Sequence, residues 1–177
     1  QASVSLTDAF IAFTRGQPQA ALRRARDTLA HADALGISGT SLRWAWPLAA
    51  RAAHELGDIT AVGDLIALLD SYQPGYLAPM LRAERDLGRV RLAAADGDDD
   101  QVAAAFAVAI AGLRERSTLY HLAHGLLDHA KYLSRHGDAA AAAAAVAEAR
   151  DIARGLRCQP LLDRADALEP AQPRIRA

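Results

Sequence analysis

The chain reads as an all-α protein, a right-handed solenoid of about four antiparallel helix pairs finished by a C-terminal capping helix. Two observations predict this. A basic residue six positions ahead of a Gly-Asp pair is written three times: Arg51 before Gly57-Asp58, Arg91 before Gly97-Asp98, and Lys131 before Gly137-Asp138. The copies lie 40 residues apart, and Gly16 marks a looser fourth copy 41 residues upstream of Gly57. A fixed period of this size marks stacked units, none of which can bury its apolar face alone. The second observation is that apolar residues recur at helical spacing within each unit, while an alternating strand pattern occurs nowhere.

Residues 6–15 carry Phe10, Ile11 and Phe13 and predict a short first helix closed by Gly16, whose freedom at positive φ suits a helix C-cap. Pro18 opens the second helix in the first turn, where a missing N–H leaves nothing unpaired; that helix is expected to run to about Leu35 and stop at Gly36. The turn 37–41, Ile-Ser-Gly-Thr-Ser, offers hydroxyl N-caps to a third helix over 42–56. There Trp44, Trp46, Leu48, Ala49, Ala52, Ala53 and Leu56 make an apolar surface, and Pro47 inside it predicts a kink or a late start. Gly57-Asp58 then turns into a fourth helix over 59–72 with Val62, Leu65, Ile66, Leu68 and Leu69 facing inward, ended by Gln73-Pro74-Gly75.

A fifth helix uses Pro79 near its start, runs through Leu81, Leu87, Val90 and Leu92, and ends at Gly97. The sixth begins in Asp98-Asp99-Asp100, where carboxylates complement the positive end of the helix dipole, and continues through Val102, Phe106, Ile110 and Leu113. Ser117 or Thr118 caps the seventh, which carries Leu119, Leu122, Leu126, Leu127 and Leu133 up to Gly137. The alanine block 139–145 opens the eighth, which continues through Val146 and Ile152 and closes near Gly155. High helix propensity and a small side chain make that block a packed helix rather than low-complexity sequence. A ninth helix over about 160–168 caps the array. The repeat domain is thus drawn over 1–168, with 169–177, containing Pro170 and Pro173, as a disordered tail.

The length of 177 residues suits one domain that buries about two thirds of its unfolded surface. No apolar run approaches the roughly 18 residues that span a bilayer, so no membrane partner is expected. A net charge of −1 argues against the broad cationic footprint of a nucleic-acid binder. The single Cys158 excludes an intramolecular disulfide and a cysteine-based zinc site and fits a reducing compartment, read as cytoplasmic. The chain opens on Gln1 rather than Met and so reads as a piece of something longer.

A helix, a Gly-Asp turn, then a second helix with apolar residues four and seven positions on resembles the tetratricopeptide repeat over nearly the whole chain. Gly57-Asp58, Gly97-Asp98 and Gly137-Asp138 match the family's inter-helix turn. Val62/Ile66/Leu69, Val102/Phe106/Ala109 and Ala142/Val146/Ala149 match its second-helix positions. The period departs from the standard unit of about 34 residues, each helix being roughly a turn longer, and Ala50, Val90 and Ala130 stand where the family has a close-packing Gly. The segment 122–133, the Gly-Asp turn after it, and 147–165 resemble the end of the helical-repeat region of large bacterial signalling ATPases of actinobacterial type. Those proteins carry either a class III nucleotide cyclase in front or a LuxR-type helix-turn-helix behind.

The resemblance implies that the position six before the turn Gly faces the concave groove, so Arg51, Arg91 and Lys131 form a basic ladder able to clamp carboxylates or phosphates of an acidic partner. The competing reading is that long basic side chains cover helix surface with their stems. By the same register Trp44, His54, Glu55, Glu84, His124 and Arg135 line the groove, Trp44 being equally suited to a core. His121, His124 and Asp128 share one helical face and mimic a metal site. Zinc needs three or four converging ligands with supporting partners, so the reading is no metal, with these as solvated or groove histidines. No phosphate-binding G-x-x-x-x-G-K-[ST] loop, G-x-S-x-G elbow or H-E-x-x-H is present, and no base is placed beside Cys158. The chain is therefore expected to be non-catalytic and without a cofactor. It reads as a regulatory interaction module of a cyclase-linked signalling ATPase, binding a protein or peptide, the parent's own ATPase module among the candidates. The alternative is the helical sensor region of a LuxR-type transcription regulator whose DNA-binding domain lies outside the chain. Association into oligomers stays open.

Overall fold

The computed structural model describes residues 2–32, 36, 37, 39–96 and 100–168. Among them the regular structure is all helical, with nine α-helices and no strand. These are α1 (Ala2–Thr14), α2 (Pro18–Leu29), α3 (Thr40–Leu56), α4 (Ile59–Asp70), α5 (Pro79–Asp96), α6 (Asp100–Arg116), α7 (Leu119–Arg135), α8 (Ala139–Leu156) and α9 (Gln159–Asp166), with a 3-10 turn at Pro74–Tyr76. Contacts gather into two compact units, 1–117 and 118–177, where the sequence suggests one domain over 1–168. In the first unit each helix packs on the next from α1 to α6, and α1 with α3 and α3 with α5 also touch. In the second, α7, α8 and α9 pack mutually.

The Gly-Asp pair explains how one helix hands over to the next. At Gly57, φ is 67°, a region that a Cβ makes unfavourable. That twist lets the Gly57 amide reach the His54 carbonyl (3.1 Å) and the Asp58 amide reach Ala53 (3.0 Å), satisfying carbonyls that end α3. The Asp58 carboxylate then accepts from the Ala61 amide at 2.9 Å and caps α4. Gly137-Asp138 repeats the arrangement: φ is 84°, the Asp138 amide bonds Leu133 at 3.0 Å, and its carboxylate accepts from Ala141 at 3.0 Å. Gly16 has the same closure (φ 68°, Gln17 amide to Ala12 at 3.0 Å), with no side-chain cap and with Pro18 opening α2. The turn at Gly97-Asp98 lies outside the described residues, as do Gln1, Leu35, Ser38, Asp99 and the tail 169–177.

The cores follow the helical stripes. All nine second-helix positions, Val62/Ile66/Leu69, Val102/Phe106/Ala109 and Ala142/Val146/Ala149, are buried. In the first unit Trp46 is fully enclosed and its Nε1–H donates to the Leu65 carbonyl at 2.8 Å, so an indole that could not otherwise be dry ties α3 to α4. Gly88 of α5 packs against Trp46 and Ile66, a Cβ there lying 3.5 Å from Trp46. In the second unit the alanine-rich α8 sets Ala142, Ala145, Ala149 and Ala153 inward, and Leu122, Leu126, Leu127 and Leu161 complete the core.

Three local expectations are corrected. Helix α2 ends at Leu29 rather than near Leu35, its last amides tightening so that His31 bonds Thr28 at 3.2 Å. Helix α3 shows no late start: it begins at Thr40 and runs through Pro47, whose ring is buried. Its N-cap is Gly39 without a side-chain bond, and the Thr40 hydroxyl accepts from Arg43 Nη2 at 3.4 Å instead. Helix α8 closes near Gly155 as expected, ending at Leu156, and it is Arg157 that takes φ 52° so that the Cys158 amide bonds the Ala153 carbonyl at 3.0 Å.

Candidate functional site on the odd-numbered helices

The 40-residue period assigns residues of the odd-numbered helices to two columns of matching sequence register. One holds Arg51, Arg91 and Lys131; the other holds Trp44, Glu84, His124 and, one period further, Arg164. In the first unit the columns meet. Arg51 Nη2 of α3 donates to Glu84 Oε1 of α5 at 3.3 Å, with the two side chains 3% and 0% exposed. Arg91, two turns further along α5, is also buried. The expectation of three solvent-facing cations is therefore not met at Arg51 and Arg91, because both sit inside the first unit rather than along its surface. Lys131 alone of the three is exposed. Trp44 is half-buried, edge-on to Phe10 of α1 with ring centroids 6.3 Å apart. His54 is half-buried, and Glu55 and Arg135 are exposed.

In the second unit the polar residues converge. His121, His124 and Asp128 are buried rather than solvated, a further correction, and α9 supplies what a single helix could not. The Arg164 guanidinium donates through Nη2 to Asp128 Oδ1 and through Nη1 to His124 Nδ1, the latter at 2.8 Å. A guanidinium has donors only, so His124 must accept at Nδ1 and carry its ring proton on Nε2. The Tyr120 ring stands edge-on to His124 at 4.7 Å. The arrangement recognises a planar cation by two acceptors one helical turn apart. Because that cation occupies Asp128, the face resembling a metal site holds an arginine instead, and among the described residues no group of three or more His, Cys, Asp or Glu is placed to hold a metal ion. Arg164 was overlooked in the sequence, although its position 40 residues after His124 marks it. Next to Asp128 on α7, His129 is half-buried, and that burial lowers its pKa below the usual value, partly offset by the Asp138 carboxylate.

Two clefts accompany these columns. One of about 420 Å3 lies between α4 and α5, with Ile66 and Leu92 among its walls and Asp70 held by Arg89 (2.8 Å) and Arg85 (3.1 Å). The other, about 320 Å3, lies along α7 and α8 and is walled mainly by alanines. No helix among the described residues is long and apolar enough to cross a membrane. Compared with models of known families, with curated proteins and with solved structures, the chain matches none.

Proposed function

We propose that the chain is a tetratricopeptide-like helical-repeat module, a right-handed solenoid that binds a protein or peptide partner and acts non-catalytically within a larger bacterial signalling ATPase of the cyclase-linked kind. The observation that supports this best is the handover turn, built the same way at Gly57-Asp58 and Gly137-Asp138 and with a related closure at Gly16. A turn repeated at one register turns a sequence period into a geometric one, as stacked helix pairs require. On this reading the paired members of the two columns, buried Arg51 with Glu84 and buried His124 with half-buried Arg164, fix how neighbouring odd-numbered helices seat. Partner contact falls to the accessible members: Trp44 and His54 in the first unit, Lys131 and Arg135 in the second. The setting is cytoplasmic, with no direct nucleic-acid contact.

The test is the affinity of the chain for the ATPase module encoded beside it, measured for the wild type and for Lys131→Glu/Arg135→Glu across a salt series. Exposed charge contacts contribute about 0.2–1 kcal/mol each, so the double reversal is expected to weaken binding between about twofold and thirtyfold, with salt weakening the wild type in the same direction. Affinity indifferent to both the reversals and the salt removes the charged helix surface from the reading.

A further inference from the structure

Helix α9 is eight residues long and buries only Leu161 and Ala165. Its seat on α7 and α8 is fixed by two ion pairs of opposite polarity. Arg164 of α9 pairs with Asp128 of α7, and Asp166 of α9 accepts from Arg150 of α8 at 2.9 Å. The link to α8 is only Arg157 and Cys158, and Arg157 is the one non-glycine residue at positive φ among the described residues. There the Cβ of an L-residue crowds its own backbone. With a link this short, returning Arg157 to an ordinary conformation swings α9 off its own α7. Nor can α8 simply continue through the link as helix, because the Pro160 ring would meet the Leu156 carbonyl.

We propose that the α9 seat is an interaction surface for a second copy of this chain, and that two chains exchange their last helices reciprocally. Charge and shape complementarity name the occupant. Each group that receives α9 in one chain is present in the other, so Arg164 meets Asp128 and His124, Asp166 meets Arg150, and Leu161 and Ala165 fill the apolar floor without any new contact. What differs is the link, since both Arg157 residues leave the left-handed region in the exchanged pair. Strained short hinges favour such exchange, whereas the tether favours the closed monomer in dilute solution.

Sedimentation velocity of the full chain, taken up to about 1 mM, the effective concentration that a short tether supplies, is the first measurement. The wild type is expected to dimerise with rising concentration, and Arg157→Gly to weaken dimerisation by about tenfold, because glycine takes positive φ without the strain that exchange relieves. The second measurement mixes an Asp128→Arg chain with an Arg164→Asp chain. Alone, each opposes like charges at the seat in cis and in trans. Mixed and exchanged, both seats hold an opposite pair, so a heterodimer with raised thermal stability is expected. A wild type that stays monomeric throughout, or a mixture that behaves as the sum of its parts, overturns the proposal.

Discussion

Arg51 shows how burial changes what a charged residue can do. A guanidinium and a carboxylate held at 3% and 0% exposure have surrendered most of their hydration, and their mutual attraction does little more than replace it. Removing one partner is a different matter, since the other is left charged in a dry place. Arg51→Ala is therefore expected to lower stability by about 3–5 kcal/mol, whereas the double replacement Arg51→Met/Glu84→Leu stays within about 1–2 kcal/mol of the wild type or exceeds it. Urea melts of the three chains check this, and a double variant as unstable as Arg51→Ala would mean that the pair itself holds α3 to α5. His129 carries a pH prediction. Burial keeps its folded pKa below the unfolded value, so as pH falls the unfolded chain takes up a proton that the folded chain resists. The stability tied to His129 is present above the ordinary histidine pKa and is lost as pH falls toward the lowered one. The urea midpoint should fall on acidification from about pH 7.5 to 5, and His129→Gln, which cannot titrate, should shrink that fall. An unchanged slope would place the acid sensitivity elsewhere.

At the scale of the element, the handover turn depends on backbone conformation more than on side-chain packing. A Cβ built at Gly57 meets nothing within 4 Å, so Gly57→Ala would suffer only from the left-handed φ of 67°. The expected loss is about 1 kcal/mol, with Gly137→Ala alike; no loss at either position would show that the turn tolerates another backbone path. This same feature is why the elements were legible. Glycine marks a left-handed cap by its identity and aspartate marks a helix start by its carboxylate, so the boundaries at Gly57, Asp58, Gly137 and Asp138 stand in the sequence. Where the same geometry is forced on Arg157, residue type is silent, and Gly155 marks the end of α8 without being the residue that takes the left-handed turn. The candidate site was legible as register but not as environment. A period tells which residues share a column, yet whether Arg51 faces water or Glu84 depends on how α5 seats against α3, which no local pattern in either helix encodes. Arg164 was missed for the related reason that α9 lacks a Gly-Asp turn to announce it.

At the scale of the whole molecule, most helix contacts join elements close in sequence, and stability in a folded chain need not be uniform from one region to the next. The two compact units, 1–117 and 118–177, give that general statement a boundary, at Ser117 just ahead of the Thr118 cap of α7. Each unit has its own enclosed side chains: Trp46, Leu42 and Leu69 in the first, Leu127 and Leu161 in the second. A cavity made in the second should be felt mainly there. Leu127→Ala removes a fully buried side chain and is expected to cost about 2–5 kcal/mol. Native-state hydrogen exchange resolves where that loss falls. If the units open separately, amides of α7, α8 and α9 lose protection by the full amount while those of α3 and α4 lose little, because opening the second unit leaves the Trp46 to Leu65 bond and the core around it intact. Equal loss of protection in α3, α4, α7 and α8 would instead make the chain one cooperative unit, with the division at Ser117 a matter of contact density and not of stability.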